Sequence, residues 1–171
     1  MEQVLVAYAS KYGATAAIAE KIGEVLRAAG LPTDVLPAGR VRDLTPYRAV
    51  VLGSAVYMFH WRKEAAKLLK TLEPAQAGRP VWLFSSGPTS KVDTEAFLEG
   101  LKLPKGLQPI ADRLHPRDVA VFRGVLDLKK LNAFERWIMS RMKAPAGDFR
   151  EWDAIEAWAG IIAQTLLEPG Q

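Results

Sequence analysis

A chain of 171 residues, 49% of them hydrophobic, is long enough for one domain with a proper core, so residues 1–171 are expected to form a single unit. The absence of cysteine excludes disulfides, thiolate metal sites and a cysteine nucleophile, and His60 and His115, 55 positions apart, make no zinc set. The net charge of +4 lies in one place, because Arg123–Lys143 holds six basic residues against Asp127 and Glu135 and leaves the remainder neutral.

Gln3–Tyr8 reads as a first strand, apolar enough to be buried on both faces of a parallel sheet. Ser10-Lys11-Tyr12-Gly13 is a tight turn. Ala14–Ala29 follows as a helix, with Ala17, Ile18, Ile22, Val25, Leu26 and Ala29 in its apolar stripe and Gly30 as its stop. A buried strand feeding a helix in this way opens an α/β unit. The hydroxyls of Ser10 and Thr15, with the backbone N–H groups of a helix N-terminus, suit a phosphate. An ordinary turn with Ser10 or Thr15 near the N-cap is the plainer reading of the same residues. Neither the glycine-rich loop ending in Lys-Ser/Thr nor G-x-G-x-x-G occurs, which disfavours nucleoside triphosphates and dinucleotides held in the usual ways.

Leu31–Leu36 reads as a second strand, and one helical turn is expected within Pro37–Pro46. The third strand is expected over Tyr47–Leu52, ending in Gly53-Ser54, and a helix over Trp61–Leu72. Val81–Ser85 is the fourth strand. After it come a short helix within Ser90–Gly100, a loop over Gly100–Pro109 and an extended piece at Ile110–His115, with His115 on the surface. Asp118–Arg123 is the fifth strand. Leu128–Met142 and Trp152–Leu167 read as helices, divided by a turn at Ala144–Asp148 in which Asp148 caps a helix or makes the turn. This alternation is a doubly wound five-strand pattern. In such sheets ligands bind beyond the carboxyl ends of the strands, where the loops Ser10–Thr15, Ser54–His60 and Ser85–Thr89 are expected to meet.

Val4–Thr15 resembles the phosphate loop of flavodoxins, roughly Ser/Thr-x-x-Gly-x-Ser/Thr. Ser10, Gly13 and Thr15 stand on the motif positions, and Tyr12 replaces the usual hydroxyl before the glycine. With Gly53-Ser54, Tyr57 and His60, then Phe122-Arg123-Gly124, then Gly147-Asp148-Phe149-Arg150 and Trp152, nearly the whole chain is similar to the flavodoxin-like family. Its nearest likeness is to the branch that contains menaquinone-dependent protoporphyrinogen oxidase. The resemblance implies a five-stranded parallel sheet in the order 2-1-3-4-5, with the basic helix after the fifth strand as an addition. It also implies FMN as cofactor, its phosphate on Ser10, Lys11, Tyr12, Gly13, Ala14 and Thr15. The ring would lie against Ser54, Ala55, Val56, Tyr57 and Met58 on one loop and Ser85, Ser86 and Gly87 on the other. Tyr57 is the expected ring neighbour, with Tyr12 and Trp61 behind it. His60 is the candidate catalytic residue, donating to a flavin or quinone oxygen or carrying a proton; capping the helix at Trp61 is its structural alternative.

The segment Leu128–Met142 places Leu128, Leu131, Phe134, Ile138 and Met142 at helical spacing, with Lys129, Lys130, Arg136 and Arg141 mostly off that stripe. A basic amphipathic helix of this type meets anionic membrane surfaces or acidic partners, or simply packs on the domain with its charges in water. No nucleic-acid-binding signature accompanies the charge, and no nucleic acid partner is expected. No leader pattern and no apolar run near ~20 residues is present, which suits a cytoplasmic protein, peripheral on the inner face of the membrane if the helix touches lipid. Three functions fit. The first is an FMN-dependent oxidoreductase working between a small organic substrate, with protoporphyrinogen as the candidate, and a quinone-like acceptor. The second is an electron carrier with a redox protein partner. The third is a non-redox α/β binding or regulatory domain.

Overall fold

The strands owe their two-sided burial to a period-two pattern, in which successive side chains point to opposite faces. Residues 3–75, 78–87, 102–143 and 146–169 are described in the computed structural model. Strand β1 (Gln3–Ala9) sends Leu5, Ala7 and Ala9 into one apolar cluster and Val4 and Val6 into another. Strand β3 (Tyr47–Tyr57) divides in the same way, with Val50 and Leu52 on the first side and Ala49 and Val51 on the second. The first side is covered by α2 (Lys63–Ala75) through Ala65, Leu68, Leu69 and Leu72, and by α3 (Gln108–Leu114) through Ile110, Ala111 and Leu114. The second is covered by α1 (Ala14–Ala28) and by α5 (Trp152–Leu167). Each fully buried Leu or Ile contributes about 1.5–3 kcal/mol by leaving water.

The parallel strands are β2 (Thr33–Pro37), β1, β3, β5 (Val81–Ser86) and β6 (Asp118–Phe122), hydrogen-bonded in that spatial order. Counting parallel strands alone, this is the expected order 2-1-3-4-5. The additional strand is β4 (His60–Trp61), which pairs antiparallel with the end of β3. A separate ribbon joins β7 (Val125–Leu126) to β8 (Gly147–Asp148) and brackets a segment carrying a 3-10 turn at Leu128–Lys130 and helix α4 (Ala133–Arg141). Phe84, Phe122 and Trp158 lock β5, β6 and α5 together, with ring centroids 5.5–6.1 Å apart.

Four expectations need correction. The third strand continues to Tyr57 and turns directly into β4, so Ser54–His60 is not an open loop, and α2 starts at Lys63 and not at Trp61. Ile110–His115 is helical, because Pro109 in the first turn needs no backbone donor there and presets a helical φ. Leu128–Met142 is not one helix. Asn132 stops the 3-10 turn and caps α4 with Glu135 in a reciprocal capping box. Of the two roles expected for Asp148, it does not cap α5, whose N-cap is Glu151; from the end of β8 it makes the turn, its carboxylate accepting from Arg150 N at 3.1 Å. The short helix expected within Ser90–Gly100 falls outside the described residues.

Candidate functional site

Beyond the carboxyl ends of β1, β3 and β5 lies a cavity of about 320 Å³. Its first wall is the turn after β1. Gly13 adopts φ 93°, which costs little only without a Cβ, and its N–H donates to Ser10 Oγ at 2.9 Å. The turn thereby delivers Thr15 into the start of α1, 1% exposed and lining the cavity. The Thr15 hydroxyl has no hydrogen-bond partner among the described residues, and Ser86, 2% exposed on the same cavity, is in the same position. A buried hydroxyl left without a protein partner is costly, so both are placed to bond a polar group in the cavity.

The second wall comes from Ala55, Val56 and Tyr57 at the end of β3. The third joins Gly87 to Gly124, where the backbones approach so closely that a Cβ on Gly124 would meet Gly87 Cα at 3.1 Å. The remaining wall is formed by Val125, Leu126 and Asp127 of the ribbon, then Lys130, Leu131 and Met139 of the inserted segment, and Arg150 after β8. Arg62 contributes a further cation. Arg150 is fixed by Asp148 through bonds of 2.9 and 2.5 Å, and this hydrogen-bonded guanidinium holds the Asp148 carboxyl below its usual value.

Of the residues anticipated from sequence, Ser10, Lys11, Tyr12, Gly13, Ala14, Thr15, Ala55, Val56, Tyr57, Ser86 and Gly87 line the cavity. Four do not. The Ser54 hydroxyl donates to Ala55 O and accepts from Arg62 N. Ser85 accepts from Trp61 Nε1 at 2.8 Å and donates to Lys102 O at 2.6 Å, which also makes Trp61 a core residue and not a ring neighbour. Met58 and His60 belong to the hairpin tip. Met58 and Phe59 both have positive φ, as primed hairpin turns require, and stand 53% and 68% exposed. His60 faces water, and its Nδ1–H donates to the Met58 carbonyl at 2.7 Å.

The first turn is also tied to the inserted segment. Glu135, 3% exposed, accepts hydrogen bonds from Lys11 Nζ and Tyr12 Oη, and Lys130 Nζ donates to Tyr12 O at 3.2 Å. The Lys11 ammonium lies 4.8 Å from the centre of the Tyr57 ring. Sequence reading missed Arg62, Lys130, Leu131, Met139 and Arg150 as cavity residues, although the Asn132-x-x-Glu135 spacing signals the cap that orients the last part of this wall.

A doubly wound parallel sheet whose first turn offers unpartnered donors to an anion defines a site for a phosphate-bearing ligand at the carboxyl ends of the strands. A profile of the flavodoxin domain matches residues 5–153, and the chain belongs to the flavodoxin family. Among solved structures it is similar to a flavodoxin from the domain Archaea (16% identity, 97% of this chain and 99% of that one, TM-score 0.66). It is also similar to a mutant of flavodoxin from Pseudomonas aeruginosa (18% identity, 97% and 99%, TM-score 0.60). A third likeness is to rubredoxin oxygen:oxidoreductase from Desulfovibrio gigas (14% identity, 97% of this chain but 36% of that one, TM-score 0.64). At these identities the likeness is one of fold. No curated protein matches by sequence. Membership of the family makes FMN the cofactor and electron transfer the role. The orphaned hydroxyls of Thr15 and Ser86 fit such a group, one on the turn suited to phosphate and one at the end of β5.

Proposed function

We propose that the chain is an FMN-dependent oxidoreductase that passes electrons from a small organic donor to a flat, quinone-like acceptor. When bound, FMN supplies the one- and two-electron chemistry. Ser10–Thr15 hold its phosphate, with Thr15 Oγ1 and the N–H groups at the start of α1 as donors. Ala55, Val56 and Tyr57, with Ser86 and Gly87, take the ring and exclude water from it. The observation that carries the acceptor reading is the apolar wall of Leu126, Leu131 and Met139 on a cavity that also holds Arg62, Lys130 and Arg150. Such a lining gives an apolar ring a surface and gives acidic substituents a cation. Flavodoxins that carry electrons are typically acidic around the flavin, and this wall departs from that. Protoporphyrinogen is the candidate donor, its propionates paired with Arg62, Lys130 or Arg150. Arg123, Arg136 and Arg141 suit that role less: Arg123 lies 3.4 Å from Glu151, and Arg141 lies 5.2 Å from the centre of the Trp137 ring.

The test is stopped-flow reoxidation of the reduced protein by a menaquinone analogue and, separately, by a haem protein. Faster reaction with the quinone supports the reading. Faster reaction with the haem protein favours an electron carrier, and failure of protoporphyrinogen as donor removes that substrate alone.

The same segment supports a place for the chain at an anionic membrane surface. Phe134 and Trp137 are 67% and 55% exposed and stacked at 6.3 Å, with Met142 exposed beyond them and Arg136, Arg141 and Lys143 alongside. Each basic residue at such a surface is worth about 1 kcal/mol. Among the described residues, no helix is long and apolar enough to cross a membrane. Co-sedimentation with anionic vesicles at low salt, lost at high salt, is the expected result; no binding at low salt removes the proposal.

A further inference from the structure

Among the described residues, Glu135 is the one buried charged side chain, and it is held by the ends of two side chains of the turn after β1. Three donors hold it: Lys11 Nζ, Tyr12 Oη and, at 3.2 Å, its own cap's Asn132 N. Two of the three come from the very residues that line the cavity. A carboxylate withdrawn from water keeps nearly its full field over a few ångströms, because little solvent is present to screen it. A phosphate brought to Ser10–Thr15 therefore meets a negative charge behind the turn unless that charge is cancelled. The Lys11 ammonium, bonded to Glu135, cancels it.

We propose that Glu135 sets the phosphate selectivity of the turn through Lys11, making Lys11 a positioning residue that acts on the anion by neutralising Glu135 and not by touching it. The phosphate is then held by neutral donors, the helix N–H groups and the Thr15 hydroxyl. Lys11 and Tyr12 in turn hold the inserted segment against the site, so cavity wall and anion turn are one electrostatic unit. The inference rests on the reading that the phosphate of FMN lies in this turn.

The experiment compares FMN with riboflavin on apo-protein. Lys11→Met, which strands the buried carboxylate, is expected to weaken FMN by about tenfold or more and riboflavin by no more than about twofold. Adding Glu135→Gln to it is expected to restore FMN to within about threefold of the parent, because the charge that needed cancelling is gone. A double variant as weak for FMN as Lys11→Met overturns the inference, since the ammonium then contacts the phosphate itself. Lys11→Met with an unchanged FMN-to-riboflavin ratio overturns it too. A flavin-free readout uses denaturation of the apo-proteins: Lys11→Met must unfold more easily than the double variant, and the reverse order removes the buried charge on which the inference stands. Should Lys11→Met fail to fold, Glu135→Gln is compared with the double variant. FMN affinities within about threefold of each other support the inference, because without the carboxylate the ammonium has nothing to cancel, and a loss of about tenfold on removing Lys11 overturns it. A parent protein with equal affinity for FMN and riboflavin sinks the phosphate reading and takes this inference with it, whereas a clear preference without rescue sinks only the role of Glu135.

Discussion

Helices α4 and α5 both come after β6, are both rich in aromatic and aliphatic residues, and are held to the protein by different physics. Helix α5 buries Ile155, Trp158, Ala159, Ile162 and Ala163 against the sheet. Helix α4 buries a single residue, Glu135, and leaves Phe134, Trp137 and Met142 beside it in water. One is a wall of the core, fixed by area removed from solvent. The other is fixed by a capping box and an ion pair, contacts that orient a helix well and stabilise it little. Apolar periodicity is present in both, so periodicity states which face a helix prefers and not what covers it.

The largest expected effect is on the core side. Trp158→Ala removes the T-shaped contacts to Phe84 and Phe122 and the 2.8 Å bond from Trp158 Nε1 to Asp118. It should lower unfolding free energy in denaturant titrations by about 3–5 kcal/mol. Thr15→Val sharpens the same frame at the cavity. With no partner for the hydroxyl, the apo-protein should gain about 1 kcal/mol of stability while losing roughly tenfold in FMN affinity. Asn132→Ala should cost about 0.5–2 kcal/mol. The loss should appear as faster hydrogen exchange in α4 with α5 unchanged, and equal loss of protection in both helices would break the comparison. At the small end, Trp137→Ala should leave global stability within about 0.5 kcal/mol, and a cost near that of Trp158→Ala would show that α4 is packed after all.

Acid and alkali should separate the two regions as well. Burial, then the hydrogen bond to Asp34, raises Tyr47 on β3 to about 12. Its neutral form is favoured by folding, so this contribution is complete below the ordinary tyrosine value of about 10 and is lost as pH rises through about 12. Asp148 on the ribbon moves the other way. Held down by Arg150, it stabilises the ribbon above the usual carboxylate value and ceases to as pH falls through its lowered one. Alkali should loosen the sheet, monitored by tyrosine absorbance alongside unfolding; acid should loosen the ribbon and insert first, monitored by exchange at Leu126 and Arg150.

The parallel strands were legible because Val4–Ala7, Ala49–Leu52 and Val81–Phe84 are unbroken apolar runs that have no use outside a two-faced core. The turn from β1 into α1 was legible for a similar reason, since glycine and hydroxyls at that spacing have few other uses. The hairpin at Tyr57–His60 was not, because Met58 and Phe59 occupy positive-φ positions that Asn-Gly would announce. Seen only as types, Ser54 and Ser85 looked like ligand donors. Their hydroxyls are taken by Arg62 N and by the Trp61 indole, partners fixed by tertiary placement and invisible in spacing. The cations of the cavity were hidden in the same way, because Arg62 and Arg150 lie 88 positions apart and meet only once the ribbon has closed.

That ribbon has a consequence for how the protein could have acquired its extra wall. Val125 pairs with Asp148 and Leu126 with Gly147, so the chain departs and returns at one point on the frame. What is spliced between two such anchored ends leaves the strands on either side undisturbed, and the entropic cost of closing it grows only slowly with its length. The segment therefore behaves as an exchangeable cartridge. A two-residue Asn-Gly bend joining Leu126 to Gly147 should yield a shorter protein with the same sheet and a more open mouth, and other lengths grafted at the same point should give relatives that share a cofactor and differ in what they present to it.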